Sequence, residues 1–246
     1  SYGEEELESV REVLKSGWIG LGPKTQEFEK RFAAFLQVSF AVALNSATAA
    51  LHLSMKVAGI EGYEVITTPM TFISTNHAIL YNGGIPVFAD IESDTLNIEP
   101  EDVKRKITER TRAIVVVHYG GHACDMDQIL NIAQENKLKV IEDAAHACGG
   151  MYRGQMLGSL GDFGCFSFHA VKNLATGDGG MITTNDAEAD ARLRKLRWVG
   201  ISKSTWDRSE RKGYSWEYDV EELGFKYHMN DIAAALGLVQ LAKLKQ

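Results

Sequence analysis

Short, continuous runs of apolar residues recur along the chain, and helix-like stretches separate most of them. Seven such runs occupy residues 40–44, 65–68, 86–89, 113–117, 138–141, 163–168 and 180–184. Strands that are apolar throughout must be buried on both faces, which is typical of mainly parallel sheets covered by helices. The pattern therefore predicts an α/β fold with a mainly parallel sheet of about seven strands.

Composition narrows the class of protein further. The chain has 246 residues, with 26 Lys and Arg against 33 Asp and Glu, a net charge of −7. This excess of acid argues against a nucleic-acid or anionic membrane partner. The apolar runs are far shorter than the ~18 residues of a membrane span. The odd set of three cysteines (Cys124, Cys148 and Cys165) favours a reducing compartment, so we expect a cytoplasmic protein.

The first segment that could carry chemistry lies between a predicted strand and a predicted helix, at residues 45–50, and includes Ala47 and Thr48. The free N–H groups and positive dipole of a helix start can bind a phosphate. Ordinary N-capping explains the same residues and is common. Taken alone, this segment leaves both interpretations open.

The second segment places Asp143 and His146 at the carboxyl end of a predicted buried strand. Open α/β sheets bind their ligands at such strand ends. An aspartate there can hold a nitrogen base protonated, and His146 can hydrogen-bond the same ligand. The alternatives are a helix cap for Asp143 and a core histidine for His146.

The third segment is a strand end that delivers Ser167 and His169, followed by Lys172 and a glycine-rich turn. A shielded lysine becomes a usable amine nucleophile, whereas a lysine in isolation is usually a solvated charge. Phe72, after Pro69, could stack on an aromatic ligand or pack in the core.

A metal site is a weaker hypothesis. His118, His122 and Cys124 have metal-like spacing, but no fourth ligand lies nearby in the sequence. A structural zinc site needs four ligands. We therefore predict no metal.

Together these segments supply a phosphate cradle, an acid for a ring nitrogen, an aromatic face and a lysine, which are the parts that hold pyridoxal 5′-phosphate (PLP). The ordered motifs resemble the DegT/DnrJ/StrS sugar aminotransferase family of fold type I PLP enzymes. They are SGWI (16–19), NSATAAL (45–51), TPMTF (68–72), EDAAHA (142–147), FSFH (166–169) with Lys172, GDGG (177–180) and YHMNDIAAA (227–235).

The resemblance covers essentially the whole chain and implies a three-layer α/β/α sandwich with a mixed, mainly parallel sheet. Residues 1–246 would form the PLP-binding large domain with an N-terminal helical segment. A helix capped by Asn230 or Asp231 runs to the last residue without a stop signal. We therefore expect the sequence to be cut there, with the family's smaller C-terminal domain absent.

The resemblance also implies roles for the candidate residues. Lys172 would form the Schiff base with PLP and shuttle protons, Asp143 would pair with the pyridine nitrogen, and His146 would lie near the phenolic oxygen. The remaining cofactor contacts would be Ala47, Thr48 and Ser167 at the phosphate and Phe72 on the ring.

Three further positions follow from the same resemblance. His169 and Trp18 would lie near the substrate. Lys226 stands where relatives commonly have an asparagine that reaches the cofactor phosphate from the neighbouring subunit, and a lysine could act there as a point charge. We expect a homodimer with the active site at the interface.

The predicted function is transfer of an amino group from an amino acid, L-glutamate, to a nucleotide-linked keto sugar, in amino-sugar or polysaccharide biosynthesis. A sugar dehydratase of the same family is one alternative, although those relatives have histidine at the position of Lys172. A non-catalytic regulator with this fold is another, but it has no need of a proton-shuttling lysine. A nicotinamide enzyme is a third alternative, but it would need a Gly-x-Gly-x-x-Gly turn after the first strand, which this sequence lacks.

Overall fold

The computed structural model describes residues 2–202 and 218–244. The helices in these ranges are α1 (Glu4–Ser16), α2 (Pro23–Leu36), α3 (Ala47–Ala58), α4 (Ile73–Tyr81), α5 (Pro100–Arg105), α6 (Met126–Asn136), α7 (Ala187–Leu196) and α8 (Asp231–Lys243). The strands are β1 (Phe40–Leu44), β2 (Glu64–Thr67), β3 (Ile85–Phe88), β4 (Thr111–Val117), β5 (Lys139–Asp143), β6 (Met151–Tyr152), β7 (Gln155–Met156), β8 (Phe163–Ser167) and β9 (Gly180–Thr184).

Seven of these strands form one mixed sheet, in the order β1-β9-β8-β5-β4-β2-β3. Strands β3, β2, β4, β5 and β8 pair in parallel, whereas β9 is antiparallel to both of its neighbours, β8 and β1. The predicted seven-stranded, mainly parallel sheet is therefore confirmed. The predicted runs match its strands to within about two residues at each end, which is the usual uncertainty of such boundaries.

Helices cover both faces of this sheet, because alternate strand residues point to opposite sides. On one face Val115 of β4 packs in a cluster with Leu51 of α3 and Leu193 of α7. On the other face Val116 packs in a cluster with Ile129 of α6, and α2 and α8 join the β1 and β8 side chains in a third cluster. The three-layer α/β/α architecture is confirmed.

The start of α8 also fixes the start of α2. Asn230 caps α8 by accepting a hydrogen bond from the Ala233 N–H. The next residue, Asp231, instead accepts from the backbone N–H groups of Gly22 at 3.0 Å and Thr25 at 2.9 Å. Of the two candidate caps, Asn230 is therefore the one that caps α8, and Asp231 satisfies the free N–H groups of another helix.

Two local features differ from the sequence prediction. The β6–β7 hairpin was not predicted, because its two-residue strands carry no periodic signal. Residues 201–226 are rich in charged and aromatic residues without clear periodicity, which predicts a long loop. Most of it lies outside the described residues, since 203–217 are not described. Its described ends form isolated bridges, Ile201 with Val220 and Trp198 with Lys226. None of the described helices combines the length and apolar character that a membrane crossing needs.

Candidate active site

The segments predicted to carry chemistry meet at one edge of the sheet. The parallel strands end at this edge, and β9 begins there because it runs in the opposite direction; Leu44 and Ser167 both pair with Gly180. The segments that follow β1, β2, β5 and β8 surround a cavity of about 640 Å³, here called the strand-end cavity. The predicted site residues that line it are Ala47, Thr48, Phe72, Asp143, His146, Ser167, His169 and Lys172.

The amino end of α3 forms one wall of the strand-end cavity. Ser46 caps this helix by accepting a hydrogen bond from the Ala49 N–H at 3.1 Å. Within the described residues, the backbone N–H groups of Ala47 and Thr48 have no such partner. Capping and anion binding are therefore compatible here, because the cap leaves two donors at the positive end of the helix dipole.

A close backbone approach shapes this wall. A Cβ atom added at Gly180 would lie 2.3 Å from the carbonyl oxygen of Ser46 and 2.7 Å from the backbone nitrogen of Ala47. Any other residue at position 180 would therefore push β9 away from α3. The glycine lets the helix start sit directly beside Ser167, which pairs with Gly180 across the sheet. This arrangement fits a phosphate held by backbone N–H groups and one hydroxyl.

Asp143 lies at the end of β5 and is only 5% exposed. Its Oδ2 accepts a hydrogen bond from the Thr75 hydroxyl at 2.7 Å, and its Oδ1 accepts from the Ala145 N–H at 3.1 Å. Burial raises the pKa of Asp143, and these two hydrogen bonds partly offset that effect. The element that follows Asp143 is the strand β6, and no helix begins directly after Asp143, so the helix-cap interpretation is wrong.

Lys172 lies in the loop that joins β8 to β9. The loop is closed at its base by hydrogen bonds from Phe168 N–H to the Gly179 carbonyl and from Thr176 N–H to the Phe168 carbonyl, both 2.8 Å. The Lys172 N–H donates to the His169 carbonyl at 2.9 Å, which forms a turn at the start of the loop. This turn places Lys172 and His169 on the rim of the strand-end cavity.

His146 faces the same cavity and is exposed, so the alternative of a core histidine is wrong. Partial burial and the nearby charge of Lys172 lower the pKa of His146, against a smaller opposing effect of Asp143. The imidazole is therefore neutral at neutral pH and can accept a proton or a hydrogen bond.

Phe72 ends the turn that follows β2 and precedes α4, and it is 72% exposed. A phenyl ring with so little contact cannot be part of the core, so the core-packing interpretation is wrong. It lines the strand-end cavity with Asp143. Its exposure is that of a side chain available to a flat ligand.

Two predicted site residues do not line the strand-end cavity of this chain. The Trp18 indole donates to the Leu21 carbonyl at 3.1 Å and borders a separate cavity of about 320 Å³ beside Trp198 and His228. The Lys226 ammonium lies 3.3 Å from the centroid of the Trp198 ring. That Lys226 reaches a neighbouring subunit's cofactor stays a prediction. The sequence also offers contacts for a nucleotide diphosphate, with a solvated interface loop as the alternative; these residues, Trp206, Arg208, Arg211 and Trp216, lie outside the described residues.

His118, part of the disfavoured zinc set, has a structural role instead. Its Nδ1 accepts from the Cys124 N–H at 3.2 Å, so its Nε2 carries the proton and donates to Glu142 at 2.9 Å. Glu142 is fully buried and also accepts the N–H groups of Leu160 and Gly161. Among residues 2–202 and 218–244, no cluster of His, Cys, Asp or Glu is arranged to hold a metal ion.

The sequence reasoning missed several polar residues of the site. Thr75 contacts Asp143 directly, and Tyr119 and Asp178 line the strand-end cavity. Tyr119 lies two residues after the end of β4, so the rule that ligands bind at strand ends could have found it. Thr75 had no comparable signal, because a threonine near a helix start usually has a local role.

Comparison with solved structures defines the class of protein. The fold matches the PMP form of Spr1654, a putative sugar aminotransferase from Streptococcus pneumoniae, with a TM-score of 0.93, at 36% identity over 100% of this chain and 66% of that chain. It also matches Helicobacter pylori PseC, an aminotransferase involved in the biosynthesis of pseudoaminic acid, with a TM-score of 0.90, at 32% identity over 100% of this chain and 64% of that chain. This chain therefore shares its fold with these two aminotransferases.

The sequence identifies the family. The profile of the DegT/DnrJ/EryC1/StrS aminotransferase family matches residues 1–246, and the chain belongs to this family. Spore coat polysaccharide biosynthesis protein SpsC of Bacillus subtilis (strain 168) is 53% identical over 98% of this chain and 62% of its own length. The chain thus spans less than two thirds of this curated relative. The predicted family is confirmed, and PLP as its cofactor is confirmed by the PLP form of Spr1654.

Proposed function

We propose that this chain forms the cofactor-binding part of an aminotransferase that moves an amino group from L-glutamate to a nucleotide-linked keto sugar. The observation that carries the proposal is the convergence of Lys172, Asp143 and the α3 start on one cavity. Relatives named for polysaccharide and pseudoaminic acid biosynthesis support a sugar acceptor. Three buried cysteines without disulfides fit a reducing, cytoplasmic location.

The residues of the strand-end cavity fit PLP in size and chemistry. Ala47 and Thr48, with Ser167, would bind the phosphate at the α3 start. Asp143 would hold the proton of the pyridine nitrogen, and Phe72 would cover one face of the ring. When bound, the cofactor supplies an electron sink for the carbanion that forms on the amino-acid substrate.

Lys172 and His146 would handle protons beside that ring. The Lys172 Nζ would take the proton from the donor's α-carbon and return it when the amino group reaches the sugar. His146, neutral because burial and Lys172 lower its pKa, adds no positive charge next to that amine. It can accept a hydrogen bond from the cofactor's phenolic group or from a water molecule.

A homodimer with the active site at its interface is part of the proposal. Ile73, Leu80 and Tyr81 of α4 are exposed apolar side chains on the helix that follows Phe72. An apolar surface beside a site is typical of a subunit interface. In such a dimer Lys226 of one subunit would supply a positive charge near the phosphate bound by the other.

The experiment is a half-reaction with the full-length protein, PLP and L-glutamate, in which 2-oxoglutarate is measured. We expect Lys172→Ala to reduce its rate by about 10²–10⁴-fold, the usual contribution of a positioned acid–base group. Lys30→Ala, at an exposed lysine of α2, is the matched control and should retain full activity. Appreciable turnover by Lys172→Ala would contradict the proposal.

The glutamate half-reaction and a second incubation with nucleotide keto sugars separate the alternative functions. A non-catalytic regulator would bind PLP without releasing 2-oxoglutarate. A dehydratase would consume the nucleotide sugar without transferring nitrogen. Incubation with a panel of nucleotide keto sugars would then give a product that carries no new amino group.

A further inference from the structure

Two threonine hydroxyls connect the Asp143 carboxylate to the turn that carries Phe72. Thr75 Oγ1 donates to Asp143 Oδ2 at 2.7 Å, and Thr71 Oγ1 lies 2.7 Å from Thr75 Oγ1. Thr75 is fully buried in the first turn of α4, and its N–H donates to the Phe72 carbonyl at 3.1 Å. The three side chains form one continuous hydrogen-bonded chain, here called the threonine relay.

The number of protons fixes the direction of this relay. A hydroxyl has one proton to donate, whereas an ionised carboxylate only accepts. Because Thr75 gives its proton to Asp143, it must accept from Thr71. The relay therefore runs from Thr71 through Thr75 to Asp143, and each hydrogen bond polarises the next.

The relay counters the effect of burial on Asp143. Burial raises the pKa of this carboxyl, and the Thr75 hydrogen bond is the foremost of the interactions that lower it. His118 and His146 lie near Asp143 as neutral imidazoles and would lower its pKa only if they were protonated. Cys165, beside Asp143 in the sheet, is held as a neutral thiol because burial raises its pKa. The Thr75 hydroxyl, unlike a charge at a distance, also fixes the direction of one oxygen of the Asp143 carboxylate.

We propose that Thr75 is a positioning residue that orients the Asp143 carboxylate, and that Thr71 holds the Thr75 hydroxyl in its donating direction. The inference rests on the proposed function, because the oriented carboxylate serves the pyridine nitrogen of PLP. Thr71 directly precedes Phe72, so the relay also ties the side chain on the ring face to the one at the ring nitrogen. Both contacts to the ring are then set by one local structure.

The test measures Asp143 itself and cofactor binding separately, in the full-length protein. ¹³C-labelled aspartate reports the carboxyl titration without cofactor by NMR, with the Asp143 signal assigned from Asp143→Asn. Equilibrium binding of PLP is measured in parallel. The variants are Thr75→Val, which removes the hydroxyl, Thr75→Ser, which keeps it, and Thr67→Val. Thr67 is the matched control because it is fully buried and its hydroxyl bonds to no described residue.

We expect Thr75→Val to shift the Asp143 titration to higher pH and to weaken PLP binding about tenfold, as loss of a hydrogen bond to a charged group predicts. Thr75→Ser should stay close to wild type. Thr71→Val should shift the titration in the same direction by a smaller amount, and it leaves the buried Thr75 contact in place should Thr75→Val fail to fold.

An unchanged Asp143 titration in both Thr75→Val and Thr71→Val would overturn the inference, as would an equal shift in Thr67→Val. Failure of the proposed function gives a different result. Wild-type protein would then release no 2-oxoglutarate, while the NMR titration would still decide whether the relay orients Asp143.

Discussion

Phe72 allows a direct test of whether a site residue contributes to ligand binding and not to the stability of the fold. The side chain is 72% exposed, so folding buries roughly a quarter of its surface, or about 50 Å². At ~25 cal/mol per Å², Phe72→Ala should lower the free energy of unfolding of the cofactor-free protein by only about 1 kcal/mol. Phe32 is fully buried, and its ring centroid lies 5.0 Å from that of Phe166. Phe32→Ala should therefore lower the free energy of unfolding by about 3–5 kcal/mol.

PLP binding should respond strongly to Phe72→Ala, although the stability of the cofactor-free protein responds little. Loss of a ring stacked on the pyridine should cost about 2 kcal/mol, or roughly thirtyfold in the Kd for PLP. Urea unfolding of the cofactor-free protein and equilibrium titration with PLP measure the two quantities. Phe72→Leu, which keeps an apolar side chain without the ring, should bind PLP with intermediate affinity. The reasoning is refuted if Phe72→Ala destabilises the protein as much as Phe32→Ala, or if the Kd is unchanged.

Two further predictions concern the walls of the strand-end cavity. Gly180→Ala should lower the free energy of unfolding by about 1–3 kcal/mol and weaken PLP binding, because the added methyl meets the α3 backbone. Gly20→Ala, where an added Cβ meets nothing within 4 Å, is the control in the same urea titrations and should show no steric penalty. Burial raises the pKa of Asp143, so folded protein without cofactor binds that proton more tightly than the unfolded chain does, and it loses stability as the pH rises above about 4. Asp143→Asn should therefore be more stable than wild type at pH 7 without cofactor, by a margin that shrinks towards pH 4; a margin independent of pH would contradict this.

The sheet could be predicted from the sequence because most of its strands are buried on both faces. β4 is buried over nearly its whole length, so no polar residue interrupts its apolar run. The strand order does not follow from such runs, because apolar character does not specify which strands pair. In particular, the reversed direction of β9 depends on pairing between distant segments, and the mixed character of the sheet came from the family resemblance.

The site divides in the same way. Asp143 ends β5 and Lys172 follows the end of β8, so strand position and residue type made both residues candidates, and the family resemblance then selected them. The contact between Thr75 and Asp143 joins residues 68 positions apart, and only the packing of α4 against the sheet brings them together. Trp18 and Lys226 were selected by resemblance alone, and within one chain both lie beside Trp198.

The reversed strand β9 decides how the segment that carries Lys172 is anchored. Parallel neighbours need a long crossover, usually through a helix, whereas antiparallel neighbours can be joined directly. Lys172 consequently lies in a direct connection without a helix (168–179), anchored to two adjacent strands and closed at its base by the Phe168–Gly179 hydrogen bond. Lengthening this connection by a residue would displace the amine while leaving every strand register intact. Insertions here should therefore separate catalytic competence from folding more cleanly than insertions in any crossover of the parallel strands.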